Sequence, residues 1–192
     1  MKEKLEKIVH IQFGPYAKSQ ASGDIKYLLA SHFDAFGTLS KFKDSYLNSN
    51  EVEADELLEE GDVILAGKGL RFFAWAYQKE KGKCIASSLF YVLKPKKELL
   101  GDYLAFYLNR DQVQHQLKLL SAGGTVPSLA KKELQQLSIE VPSLEQQQEI
   151  VSLDQLYQKQ IKLYQELITH KKQIHREILN KKYQQLKETP HA

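Results

Sequence analysis

The stretch that most restricts this chain lies near its end. After Pro142 there is no proline until Pro190 and no glycine at all. Residues 143–146 read SLEQ. This is a capping box: the Ser143 hydroxyl accepts an unpaired backbone N–H and the Gln146 side chain reaches back to the cap. Beyond it Ile150, Leu153, Leu156, Tyr157, Ile161, Leu163, Tyr164, Leu167, Ile168, Ile174 and Ile178 follow. At about 100° per residue they fall within one broad arc. The opposite arc is almost wholly Gln, Lys, Glu and Thr. The pattern predicts one helix over 143–187, about 65 Å long at about 1.5 Å per residue. A compact domain built from the residues before it is only about 30 Å across. The helix should therefore outrun its domain, and an apolar stripe of that length needs a partner helix. A helix folded back on its own domain is the alternative, and the length argues against it. The expected pairing surface is Ile150, Leu153, Tyr157, Ile161, Tyr164, Leu167, Ile168, Ile174 and Ile178. Lys171 and His175 interrupt the heptad, as residues that set register do.

The first 142 residues change pattern often, which predicts a mixed α/β domain and an α+β fold class overall. The expected organisation is a domain over 1–142, the helix over 143–187 paired in a coiled coil, and a tail over 188–192. Strands are expected at 9–13, 25–29 and 62–66, the last after an acidic helix over 54–60. Segments 71–77 and 84–93 are rich in aromatic and β-branched residues and read as two more strands, with QKEKGK between them as a hairpin. Pro95 should end the second. Residues 100–120 read as one helix stopped by Gly123-Gly124. Ser128 is expected to cap a short helix over 129–136, and 137–141 to return as a strand.

No apolar run reaches about 18 residues, so no membrane span is expected. The start, MKEKLEKIVH, has no apolar signal core. One cysteine, Cys84, excludes an internal disulfide and a cysteine-based metal cluster. A cytoplasmic location is the expectation. The net charge of +3 conceals segregation: 51–62 holds seven carboxylates and no base, whereas 63–97 holds eight Lys or Arg against one Glu. Such blocks can form one basic face.

Several chemistries are disfavoured. GDVILAGKG places five residues between Gly61 and Gly67, and Gly69 rather than Ser or Thr follows Lys68. A nucleotide-hydrolysing phosphate loop needs four residues there and a hydroxyl to hold magnesium. His10, His32, His115, His170, His175 and His191 show no i, i+4 pair with an acidic neighbour at ligand spacing. The acids of 51–62 read as a solvated face rather than a metal cluster. Lys68 between two glycines, with Arg71 near, keeps the chemistry of a phosphate in a nucleic-acid backbone. An ordinary turn with exposed cations is the alternative.

Three motifs in order, GDVILAGKG, then IASSLFYVLKP with YLAFYLN, then GGTVPSLAKKELQQLSIEVPSLEQQQEIV, resemble the specificity (S) subunit of type I restriction–modification systems. The similarity runs over roughly residues 1–187. It implies a protein with no catalytic residues and no metal, which reads double-stranded DNA and recruits modification subunits. Those subunits transfer methyl groups from S-adenosylmethionine to adenine, and restriction subunits join them as a nuclease that uses ATP and Mg. No cofactor is expected in this chain. A full S subunit carries two recognition domains and two conserved helices packed antiparallel as a spacer. This chain has one of each, which fits a half subunit. Two copies paired through their helices form a homodimer with two-fold symmetry, matched to a split, palindromic site. A scaffold or competitor that holds modification subunits without productive DNA binding would share the helix.

For DNA reading, most affinity should come from phosphate contacts. The candidate positioners are Lys41, Lys43, Lys68, Arg71, Lys131 and Lys132, with the helix start at Ser128 and the approach of Gly123, Gly124 and Thr125. Base reading is assigned to Tyr16, Lys18, Ser19 and Gln20 in one loop, and to Lys79 and Lys81 on the hairpin. Ser87 and Ser88 are expected to serve close packing.

Overall fold

In the computed structural model of the protein, the described residues are 1–34, 37–40, 42–69, 71–96, 98–122 and 126–188. Chain order is β1 (Lys2–Lys4), α1 (Leu5–Ile8), β2 (Val9–Phe13), β3 (Ile25–Leu28), β4 (Tyr46–Leu47), β5 (Val63–Ala66), β6 (Ala74–Ala76), β7 (Cys84–Ala86), β8 (Phe90–Pro95), α2 (Gly101–Asn109), α3 (Asp111–Leu120), β9 (Ser121–Ala122), β10 (Ser128–Leu129), α4 (Lys131–Gln136), β11 (Ser138–Glu140) and α5 (Leu144–Glu188). The chain divides into two compact units, Met1–Val151 and Ser152–Ala192. The mixed α/β domain and the long C-terminal helix are both present.

The first unit is built on a four-stranded antiparallel sheet in the order β2-β8-β5-β6. Alternate residues of these strands face two separate cores. Val9, Ile11, Val63, Leu65, Ala74, Ala76, Tyr91 and Leu93 pack with Leu104, Leu108 and Leu117 of α2 and α3. Ile64, Ala66, Phe90 and Val92 face the other way, against Leu28, Phe33, Cys84 and Ala86. A smaller sheet, β4-β3-β7, lies on that side, with β3 and β7 parallel. Both faces of β5 and β8 are therefore covered, which is why they read as nearly unbroken apolar runs. β1 pairs with β11 and ties the start of the chain to the segment before α5.

Five sequence expectations are corrected. Residues 84–93 form two strands in different sheets, because the chain turns at Ser87–Leu89, where the Phe90 N–H donates to the Ser87 carbonyl at 2.9 Å. A Cβ at Gly14 would meet the Ala86 and Ser87 carbonyl oxygens at 2.1 and 2.4 Å, so the loop after β2 lies directly on this turn. No β6–β7 hairpin forms: β6 pairs with β5, β7 pairs with β3, and Lys79–Lys81 is a 3-10 turn. The acidic helix shrinks to a 3-10 turn at Ala54–Glu56. Leu57 and Leu58 must enter two different cores, which extended backbone allows and a helix does not.

The helix expected over 100–120 breaks at Arg110, whose φ of −62° and ψ of 138° leave the helical region. No proline or glycine marks the break. Asn109 exchanges two hydrogen bonds with the Ala74 backbone, at 2.9 and 2.8 Å, and Gln114 donates to the Phe72 and Leu108 carbonyls. These tertiary contacts fix α2 and α3 as separate rods. Finally, Ser128 lies in β10 and does not cap α4; Ala130 occupies the cap position. Leu129 is drawn into the core and its N–H donates to the Gly67 carbonyl at 2.9 Å, which demands an extended chain there.

The capping box at the start of α5 is present: the Gln146 N–H donates to Ser143 Oγ, and the Ser143 N–H donates to Gln146 Oε1 at 3.2 Å. Gln147, fully buried, fastens the first turns. Its Oε1 accepts the Leu100 N–H at 2.9 Å, and its Nε2 donates to the Glu98 and Pro142 carbonyls at 2.8 and 3.0 Å. Val151 is buried, and Ile150, expected on the pairing surface, packs partly against the domain's own core. From Leu153 to Leu186 every large apolar side chain of the stripe is exposed, between 48 and 62%.

Candidate nucleic-acid interface

Because β8 runs antiparallel to both β2 and β5, one edge of the large sheet gathers the ends of β2 and β5 and the start of β8. The pairings Phe13↔Tyr91, Ala66↔Phe90 and Leu65↔Ala74 mark that edge. Tyr91 organises it. Its ring packs at a tilt of 36° against Phe13 with centroids 4.6 Å apart, and its hydroxyl donates to the Leu129 carbonyl at 2.6 Å. A Cβ at Gly67 would stand 2.7 Å from the same ring, so only glycine lets the chain pass this close. The Gly67 N–H donates to the Leu89 carbonyl and the Gly69 N–H to the Pro127 carbonyl, each at 2.9 Å. Between them Lys68 bridges Ser128. The phosphate-type motif and the segment before α4 thus meet, with Lys68 and Lys132 exposed and Lys131 half-buried.

The loop after β2 is clamped onto this edge. The Ala17 N–H donates to the Tyr27 hydroxyl at 3.1 Å, and that hydroxyl donates to the Pro15 carbonyl at 2.9 Å. Tyr16, between the two anchors, is 89% exposed. An exposed aromatic on a fixed backbone costs little ordering on binding. Among the described residues of Met1–Val151, seven large apolar side chains are exposed, and four of them (Phe13, Tyr16, Leu89 and Val126) belong to this rim.

The remaining sequence candidates lie elsewhere or outside the described residues. Gln20 is tied to Tyr46 by reciprocal backbone bonds of 2.9 Å, and its side chain donates to the Glu51 carboxylate at 3.2 Å. It belongs to the β4 edge, which Lys43 also flanks; both are exposed, as is Lys18, and Ser19 is half-buried. Lys79 and Lys81 lie beyond the far end of β6 from Lys68, in acidic surroundings: Lys81 pairs with Glu80 at 2.7 Å, and the Lys79 N–H donates to Glu60. Lys94 likewise pairs with Asp62 at 3.6 Å and Glu59 at 3.9 Å. Among the described cations of 63–97, Lys68 lies at the rim whereas Lys81 and Lys94 pair with carboxylates, so these do not share one uniformly basic face. Arg71, exposed, leads from the Lys68 loop toward β6. Lys41 and Thr125, with Gly123 and Gly124, lie outside the described residues. Leu89 escaped the sequence reading because it opens the apolar run LFYVL, which reads as core, Phe13 because it ends the expected strand 9–13, and Val126 carries no local signal in GGTVPS.

Reactive groups are quiet. Burial pushes the Cys84 thiol up to about 11, so it stays protonated. Burial also raises the Asp62 carboxyl, against the Glu59 N–H and Lys94, which favour its charged form. Among the described residues no group of three or more His, Cys, Asp or Glu is placed to hold a metal ion. No helix among them is long and apolar enough to cross a membrane.

Cations beside exposed aromatic faces at one sheet edge have the chemistry to contact nucleic acid, the cations toward phosphates and the aromatic faces toward bases. The chain belongs to the type I restriction modification DNA specificity domain family, whose profile matches residues 4–175. Solved structures share the fold. The S subunit of a type I restriction–modification system from M. genitalium matches at 12% identity and a TM-score of 0.60, over 84% of this chain and 40% of that one. The HsdS subunit from Thermoanaerobacter tengcongensis matches at 18% identity and 0.52, over 83% of this chain and 37% of that one. A chain from a structure of complex assembly and conformational transition in a type I system matches at 19% and 0.54, over 85% and 39%. This chain thus spans about 40% of the length of the structures it matches. No curated protein matches it in sequence.

Proposed function

We propose that the protein is the half-subunit form of a type I specificity subunit, reading double-stranded DNA without chemistry of its own. Two copies pair along α5, place two recognition domains on a split, palindromic site, and recruit modification subunits. Those subunits carry S-adenosylmethionine; restriction subunits, with ATP and Mg, complete the nuclease.

The observation that carries the pairing is the exposed stripe. Thirteen large apolar side chains from Leu153 to Leu186 are about half accessible or more on a helix of 45 residues. A lone helix draws most of its stability from burying such a face. A second copy offers an identical stripe, and a two-fold axis lets one patch cover itself.

The test is to map methylated adenines in DNA from cells carrying this chain and its modification subunit. A palindromic two-part motif is expected. An asymmetric motif contradicts homodimeric reading. Absence of methylation, together with capture of modification subunits, turns the reading to a scaffold or competitor.

A further inference from the structure

Resting on the DNA-recognition reading, we propose that the apolar rim of Phe13, Tyr16, Leu89 and Val126 reads thymine through its C5 methyl group in the major groove. The large apolar side chains left uncovered in the first unit concentrate at this edge. A patch of that kind marks an interaction surface. Its occupant is indicated by charge: Lys68 bridges Ser128 beside the rim and Lys131 and Lys132 follow that segment, cations of the kind that contact phosphates.

Two amides bonded around β6, whose start lies at this edge, are already engaged: Asn109 is bound to Ala74, and Gln114 to Phe72 and Leu108. What the rim presents instead is apolar surface on fixed backbone. Pro15 and Ala17 are held by Tyr27, Phe13 by the Tyr91 ring, and the Leu89 carbonyl by Gly67. On the major-groove edges of the four base pairs the apolar group is the thymine methyl. Rigid apolar side chains against it discriminate by the burial of one carbon, about fourfold per methyl.

The experiment uses the full chain, with and without modification subunits, and a pool of random-core duplexes. Sequences enriched from the thymidine pool are remade with deoxyuridine at every thymidine position, which removes only the methyl. The expected result is thymine at fixed positions of the enriched site and weakening of about fourfold for each methyl in contact. Tyr16→Ala and Leu89→Ala should bind the two forms alike with an unchanged salt slope, while Tyr16→Phe keeps the discrimination. Equal binding of both forms by the wild type overturns the inference and leaves DNA recognition standing. So does equal binding accompanied by unstacking of a 2-aminopurine probe, which signals wedge insertion. Failure to bind any duplex at low salt, even with modification subunits, overturns DNA recognition and this inference with it.

Discussion

The two units of this chain solve burial in opposite ways. In Met1–Val151 both faces of a sheet are covered from within: Leu104, Leu108 and Leu117 on one side and Phe90 and Ile64 on the other are fully buried. In Ser152–Ala192 residues of the same types, at the regular spacing of one helix, stay half exposed. Leucine, isoleucine and tyrosine occur in both units, so the kind of large apolar residue does not separate them. What separates them is that a sheet with crossing helices closes around its own apolar residues, whereas a single rod has no second layer to offer. A self-sufficient unit is suited to hold a recognition edge still. An unfinished one is suited to specify a partner.

The largest expected effect breaks the second unit alone. Tyr164→Asp with Ile168→Asp puts two unpaired charges into the stripe proposed to pair, at a cost of several kcal/mol. Light scattering should report monomer, while the urea midpoint of the recognition domain holds; an unchanged dimer removes this pairing surface. Leu104→Ala makes the complementary break. It opens a cavity beneath the sheet and should lower domain stability by about 2–5 kcal/mol in urea melts, with the solution mass unchanged. Less disruptive is Gln147→Leu, which strands the Leu100 N–H and two carbonyls where the units join in sequence. A loss of about 1–3 kcal/mol in urea melts is expected.

Two smaller effects sharpen the first unit's role. Lys68→Ala should weaken binding of all duplexes about equally and flatten the salt dependence by about one unit of log–log slope. Loss confined to one sequence would make Lys68 a base reader. The other effect is set by pH. Burial holds the His32 imidazole below its ordinary value of 6.5, and its Nδ1 accepts the Leu29 N–H at 3.1 Å. The unfolded chain therefore takes up a proton that the folded chain refuses. Stability falls as pH drops through 6.5 and levels off once pH is below the folded value. The urea midpoint should be lower at about pH 5.5 than at about pH 7.5; equal midpoints contradict the assignment.

The long helix and its cap were legible because both rest on local rules: residue spacing and the Ser143–Gln146 pair. Strands β2, β3 and β5 were legible to within a residue for the same reason. The illegible parts depend on contacts far apart in sequence. The turn within 84–93 is invisible in an unbroken apolar run, and becomes necessary only because Gly14 packs on Ala86 and Ser87. The break at Arg110 is fixed by Asn109 on β6, a contact 35 residues away in sequence. Lys68 is singled out in the sequence by its flanking glycines and Tyr16 by its polar loop, and the fold brings both loops to one edge of the large sheet. Lys79 and Lys81 are singled out by an expected hairpin; the hairpin does not form, and the sequence does not reveal which end of β6 their turn occupies. Tyr27 and Tyr91, which hold the rim together, carry no local signal because their work lies in single hydroxyls and one ring face.

Sedimentation equilibrium of the purified chain over a wide concentration range tests the central claim most directly. The account predicts a mass of twice 22.1 kDa, dissociating only on dilution or with the Asp pair in the stripe. A mass of 22.1 kDa at every concentration would show that the half-exposed stripe needs no second copy, and the two-headed reader would fall with it.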